Sequence, residues 1–151
     1  MPRIRAAICT AFGAPLEIEE LELRAPGPGE IEVEIEAVAI CHSDIHYAEG
    51  GFRSRLPAVL GHEAAGRVTA RGPGTPGPEI GTRVVVTLVR FCGACPTCLS
   101  GRPTICRDFD RAPSPLSRPD GEPVWNEMET GAFAERVVVA ASQCVAVSED
   151  L

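Results

Sequence analysis

A mainly β domain of short, turn-rich strands, arranged as a sandwich or barrel, is predicted by three observations. Apolar and polar residues alternate over several stretches, β-branched residues fill those stretches, and glycine and proline separate them. The clearest alternation is EIEVEIEA at 30–37, which sets Ile31, Val33 and Ile35 on one face and four glutamates on the other, the pattern of a strand with one wet side. LEIEELEL at 16–23 is similar but less regular. IRAAICTA at 4–11, AAGRVTAR at 64–71, TRVVVTLV at 82–89, AERVVVAA at 134–141 and QCVAV at 143–147 complete the candidate strands. Between them lie APGPGE at 25–30, RGPGTPGPEIG at 71–81 and RAPSPLSRPDGEP at 111–123, each a loop by composition. Only SDIHYAEG at 43–50 reads as a helix, opening on a Ser or Asp cap and stopping at Gly50-Gly51.

Composition narrows the function. A chain of 151 residues, 44% hydrophobic and 23% charged, suffices for one domain with a real core and is too apolar for disorder. A net charge of -7 and a pI near 5.0 exclude a nucleic-acid surface, which needs clustered cations to neutralise phosphates. The longest apolar runs, such as VVVTLV at 84–89, fall far short of the roughly 20 helical residues that cross a bilayer, so no membrane association is expected. The start, MPRIRAAICTAFGAP, is interrupted by Gly13 and Pro15 before an export signal develops, and reads as a strand. Seven cysteines at uneven spacing, without an export signal, point to metal binding over disulfides and to a reduced, cytoplasmic location.

Gly72-Pro-Gly-Thr-Pro-Gly77 matches the letters G-x-G-x-x-G of a dinucleotide fingerprint. That motif needs a helix whose N-terminal amides meet a pyrophosphate. Pro73, Pro76 and Pro78 forbid the helix, and a strand follows at once, so the segment is a loop.

FCGACPTCLSGRPTIC carries Cys92, Cys95, Cys98 and Cys106 at C-x2-C-x2-C-x7-C spacing. Two-residue gaps let successive thiolates converge on one ion, with Gly93 and Pro96 supplying turns. An iron–sulfur cluster uses a related run but closes it after three residues with Cys-Pro. A thioredoxin-like pair needs C-x-x-C at the head of a helix in a βαβ unit, and neither is expected here. A closed, structural zinc with four sulfur ligands fits best.

A second site is signalled by histidine. All three histidines of the chain, His42, His46 and His62, lie within 21 residues of Cys41. A lone histidine ahead of a strand is ordinarily half exposed and inert; clustering of a rare residue type needs a cause. Cys41 and His62, one on each side of the predicted helix, are candidate ligands, since thiolate and imidazole suit zinc.

CHSDIH, then GHE with its histidine twenty-one residues after Cys41, then C-x2-C-x2-C-x7-C, in that order, together resemble the N-terminal half of the zinc-dependent medium-chain alcohol dehydrogenases. The likeness extends over the Pro-Gly hinge near residue 28 and GAFAERVVV. It implies a GroES-like, partly open β-barrel with few short helices and a structural-zinc lobe at 91–107, all within a zinc-binding catalytic domain spanning 1–151. It implies Cys41 and His62 as catalytic zinc ligands, Asp44 as the carboxylate that orients the histidine, and Glu63 as an acid able to approach the metal. Ser43 and His46 fall where the family relays a proton to solvent, and His42 where it meets the cofactor's pyrophosphate. The helix allows this, because Ser43 and His46 share a face three residues apart. A plain structural role stays open for both Ser43, as a cap, and Asp44, in the first turn.

The resemblance further implies an enzyme that oxidises alcohols to aldehydes or ketones with NAD(P), its partner a small-molecule alcohol or aldehyde. A third zinc ligand and an NAD(P)-binding Rossmann domain would follow residue 151, so the chain is expected to be a catalytic-domain fragment, inactive alone. A homo-oligomer is expected only for the full-length enzyme. Cys144, inside a strand pair, is a poor substitute ligand. A stand-alone zinc-stabilised β domain serving as a binding or assembly module is the alternative.

Overall fold

The computed structural model describes residues 1–108 and 113–150. Ten strands form two sheets: β1 (Arg3–Cys9), β2 (Glu17–Leu23), β3 (Glu30–Ala39), β4 (Ala58–Val59), β5 (Glu63–Arg71), β6 (Arg83–Val86), β7 (Leu116–Ser117), β8 (Pro123–Asn126), β9 (Arg136–Ala140) and β10 (Cys144–Ala146). Two helices join them, α1 (His42–Ala48) and the single turn α2 (Pro96–Leu99). One sheet closes on itself in the order β1-β2-β7-β8-β4, and the other stays open in the order β10-β6-β5-β3-β9.

The period-two pattern builds both cores. Ile4, Ala6 and Ile8 of β1 pack with Leu21 and Leu23 of β2, Val59, Leu116 and Val124 inside the closed ring. Ile31, Val33, Val68, Val84, Val86, Val137 and Val139 form the second core. β9 serves both: Val138 faces the ring while Val137 and Val139 face the other core, as alternating side chains must. Each buried Val, Leu or Ile side chain contributes about 1.5–3 kcal/mol.

Every expected strand is present, with ends shifted by a few residues. β4, β7 and β8 were not legible in the sequence; β7 lies in the segment 111–123 read as a loop, of which residues 111 and 112 fall outside those described, and β8 starts at its last residue. The wet face expected of 30–37 is corrected at Glu32, which is 7% exposed. Thr69 donates to it at 2.7 Å and Arg136 approaches at 3.3 Å, so partners replace water. The segment 72–77 is a loop without a helix, and a Cβ on Gly72 would lie 1.6 Å from the Gly27 carbonyl oxygen.

Candidate metal centres

The β3–β5 ladder creates the first centre. Its pairing ends at Ala39↔Glu63, which places Cys41 two residues beyond one strand and His62 one residue before the other. The ladder shifts register between Ile35 and Ala37, bending the end of β3. Gly66 lies in this bend, where a Cβ would sit 2.0 Å from the Glu34 carbonyl oxygen.

Cys41 caps α1, correcting the expected Ser or Asp cap, and Asp44 is the third residue of the helix. Asp44 is 2% exposed and accepts from three donors. Its Oδ2 takes the Cys41 N–H at 2.9 Å, and its Oδ1 takes the Gly61 N–H at 2.9 Å and meets His62 Nδ1 at 3.2 Å. One carboxylate thereby fixes the helix start, the turn at 61 and the imidazole. Held at Nδ1, the imidazole is free at Nε2, which lies 3.9 Å from Glu63 Oε1.

Cys41 Sγ, a His62 ring nitrogen and a Glu63 oxygen all lie within 4.8 Å of one another, a set that can hold a metal ion. His62 is 5% exposed, against the half-exposed position of an inert histidine, whereas the Glu63 side chain is 51% exposed. Ser43 Oγ stands 3.6 Å from Cys41 Sγ. His42 and His46 do not join the set; both are exposed, and their rings meet edge to face at 4.7 Å. His46 also packs against Phe52, ring centres 5.5 Å apart. Cys144 is no part of it either, buried in the second core where loss of water pushes its thiol up to about 12.

The second centre gathers the four cysteines of the 92–106 loop. Neighbouring sulfurs lie 3.9 Å apart for Cys92 and Cys98, 3.5 Å for Cys95 and Cys98, 3.9 Å for Cys95 and Cys106, and 3.6 Å for Cys106 and Cys92. Four thiolates around zinc at roughly 2.3 Å stand roughly 3.8 Å apart, whereas a disulfide needs about 2.05 Å. The donor chemistry and spacing therefore fit zinc, and all seven cysteines are free thiols. Amides of Ala94 and Cys95 point at Cys92 Sγ at 3.4 and 3.3 Å, and that of Cys92 at Cys106 Sγ at 3.4 Å, as donors favouring thiolates. The Thr97 hydroxyl and the Cys98 amide hold the Cys95 thiol down to about 6. Burial and the neighbouring Cys95 sulfur push the Cys98 thiol up to about 12.

One expectation here is corrected: Cys95 caps α2 with Pro96 as its first residue, so a C-x-x-C does head a helix. The helix is one turn long, and no βαβ unit surrounds it among the described residues.

Among the described residues no helix is long and apolar enough to cross a membrane. The closest site residues unmarked in the sequence are Gly61 and Thr97, which act through a backbone angle and a 3.5 Å contact to Cys95 Sγ.

Comparison with known proteins gives a consistent result. The chain is 34% identical to an NDMA-dependent alcohol dehydrogenase of Amycolatopsis methanolica, over 97% of this chain and 42% of that protein. It superposes on an alcohol dehydrogenase zinc-binding domain protein from Burkholderia ambifaria with a TM-score of 0.91 and 32% identity, over 99% of this chain and 43% of that one. Benzyl alcohol dehydrogenase from Acinetobacter calcoaceticus gives a TM-score of 0.86 at 29% identity, over 100% and 42% of the two chains. The chain thus spans about 42% of the length of the curated relative it matches. Residues 27–149 match the family described as the alcohol dehydrogenase GroES-like domain, and with both cysteine-bearing centres inside that match, the chain belongs to this family.

Proposed function

We propose that residues 1–151 are the zinc-binding catalytic domain of an alcohol dehydrogenase that oxidises alcohols to aldehydes or ketones with NAD(P). The observation that carries this is the convergence of Cys41, His62 and Glu63 within 4.8 Å, with Asp44 behind His62 and Ser43 beside Cys41. Cys41 and His62 hold the catalytic zinc, with Glu63 able to approach it. Cys92, Cys95, Cys98 and Cys106 hold a structural zinc that fixes the 91–107 lobe.

When bound, zinc supplies the Lewis acidity that makes an alcohol proton easier to remove, and the nicotinamide takes up the hydride. The residues of this chain handle the rest. Asp44 keeps the His62 Nδ1–H engaged, so Nε2 is the nitrogen that would hold the metal. Ser43, accepting one proton as it passes another on, moves the alcohol proton away from the Cys41 side, and the exposed His46 delivers it to solvent. His42, also exposed at the start of α1, meets the cofactor's pyrophosphate. Hydride transfer belongs to the whole protein, in which these residues supply the metal-binding half. A reducing, cytoplasmic setting suits four thiolates that must stay unoxidised.

The test is zinc analysis and turnover on the full-length protein. Two zincs per chain and alcohol-dependent reduction of NAD(P) are expected, with turnover lost in Cys41→Ala and His62→Ala. Full turnover after removal of all zinc overturns the reading.

A further inference from the structure

The alcohol dehydrogenase reading leaves unexplained a broad cleft whose lining includes Tyr47, Arg53, Arg55, Leu88, Trp125 and Glu127. It opens beside the first centre, because Tyr47 stands one turn of α1 beyond Ser43 on the same helical face. Its charges are unusual for this molecule. Of the thirteen arginines among the described residues, nine form an ion pair with a carboxylate, as an acid-rich chain readily permits. Arg53 and Arg55 are two of the four that do not, and both line this cleft.

The acids of the cleft are already engaged. Glu127 accepts from the Ser54 hydroxyl at 2.8 Å and the Arg55 N–H at 3.3 Å, and Glu129 pairs with Arg90 at 3.3 Å. The Arg55 guanidinium lies 4.4 Å above the Trp125 ring, which fixes its plane while leaving its donors without an acceptor among the described residues. Arg53 is exposed, and its guanidinium makes no hydrogen bond or ion pair among them. The lining also includes Met128 and Glu129 at φ of 54° and 57°, consecutive left-handed non-glycine residues. Thr130 Oγ1 donates to the Met128 carbonyl at 3.0 Å and Gln143 Nε2 to that of Glu129 at 3.1 Å, so the unfavourable turn is actively held.

We propose that this cleft binds the anionic end, a carboxylate or phosphate, of a bifunctional alcohol whose hydroxyl end reaches the Cys41–His62 centre. The proposal rests on the alcohol dehydrogenase reading and adds its substrate class. Two arginines whose guanidinium donors are unshared among the described residues match the paired oxygens of such a group, and Tyr47 offers a third donor. Burial and the Glu127 carboxylate keep that phenol protonated.

The experiment uses full-length, zinc-loaded protein and primary alcohols of equal length ending in methyl, carboxylate, phosphate or ammonium. A kcat/KM at least about tenfold higher for the carboxylate or the phosphate than for the methyl-ended alcohol is expected, as one charged hydrogen bond allows. Whichever of the two is preferred identifies the anion. Arg53→Gln and Arg55→Gln should each lower this ratio severalfold, and Arg53→Lys should keep most of it. Arg53 is exposed and makes no hydrogen bond or ion pair among the described residues, so Arg53→Gln should spare the fold. Preference for the methyl- or ammonium-ended alcohol, or a ratio unchanged in both glutamine variants, overturns the proposal while leaving the dehydrogenase reading intact. A binding arm separates the two failures: quenching of Trp125 fluorescence by the carboxylate-ended alcohol, taken as the difference from Trp125→Phe. Saturable quenching that is lost in Arg55→Gln, with no alcohol oxidised, supports the anion site and sinks the dehydrogenase reading. Neither quenching nor oxidation sinks both.

Discussion

Asp44 Oδ1 meets His62 Nδ1 at 3.2 Å while also accepting the Gly61 N–H, both ends of the contact being almost fully buried. Removing this carboxylate strands the buried amide and frees the imidazole, at about 1–3 kcal/mol for each lost buried partner. Asp44→Ala should therefore lose about 3 kcal/mol or more in urea unfolding. Zinc affinity at Cys41 and His62 should fall roughly 10–100-fold, the usual cost of losing an orienting partner. An Asp44→Ala protein with native stability and zinc content would show that the contact orients nothing.

Gly61 sets where His62 begins. Its φ is +92°, and a Cβ there would sit 2.6 Å from Phe133 Cδ1 and 2.8 Å from the Phe133 backbone nitrogen. That backbone cannot give way, since Phe133 N–H donates to the Leu60 carbonyl at 2.8 Å. Gly61→Ala should cost about 3 kcal/mol or more from strain and overlap together, read as a lowered unfolding midpoint.

Thiol chemistry separates the cysteines by location. Cys9 and Cys144 are buried at 1% and 8% exposure, and burial raises both thiols. Zinc chelation should leave these two unlabelled by a thiol reagent at neutral pH, while Cys92, Cys95, Cys98 and Cys106 react together once the ion that gathers them is gone. Mass spectrometry after labelling reads this directly. Modification of Cys144 at the rate of the loop cysteines would contradict its placement in the core.

What the sequence revealed follows from the range of each interaction. Strands with four or more alternating residues, and α1, announce themselves through periodicity. β4 and β7 have two residues each, too few to alternate, and β8 opens on Pro123, so tertiary pairing alone makes them strands. Ligand types and spacing pointed to both candidate metal centres, yet Cys41 and His62 meet only because β3 ends opposite the start of β5. Glu32 hides from water because Arg136, 104 residues away, comes to it, and no local pattern records that partner. Arg53 and Arg55 are equally silent in the sequence, for their significance is that neither guanidinium forms an ion pair with a carboxylate among the described residues.

Acid should weaken the fold partly through Glu30. Burial pushes this carboxyl up, but the paired Arg24 hydrogen bonds at 2.6 and 2.7 Å and the Gly27 N–H at 2.8 Å outweigh it, so its folded pKa is lowered. A lowered folded pKa gives stability that is complete above the unfolded value of about 4.3 and is lost as pH falls through the folded value. Glu30→Gln should flatten the acid limb of the stability profile and cost about 1–3 kcal/mol at neutral pH. An unchanged slope below about pH 4.3 would remove Glu30 from the account of acid unfolding.

Ser43 separates relay from structure, because its side chain has one hydrogen-bonded neighbour among the described residues, Cys41 Sγ at 3.6 Å. Ser43→Ala should leave unfolding within about 0.5 kcal/mol of the parent. In the full-length enzyme it should lower kcat by roughly 10²-fold, the usual contribution of a positioned proton-transfer group. Ser43→Thr keeps the hydroxyl and should recover most of the rate. His46, exposed at the far end of the proposed path, is replaceable by solvent, so His46→Gln should cost less, and added imidazole should restore what is lost. If Ser43→Ala and Ser43→Thr turn over alike, the hydroxyl carries no proton and Ser43 is a packing residue beside Cys41.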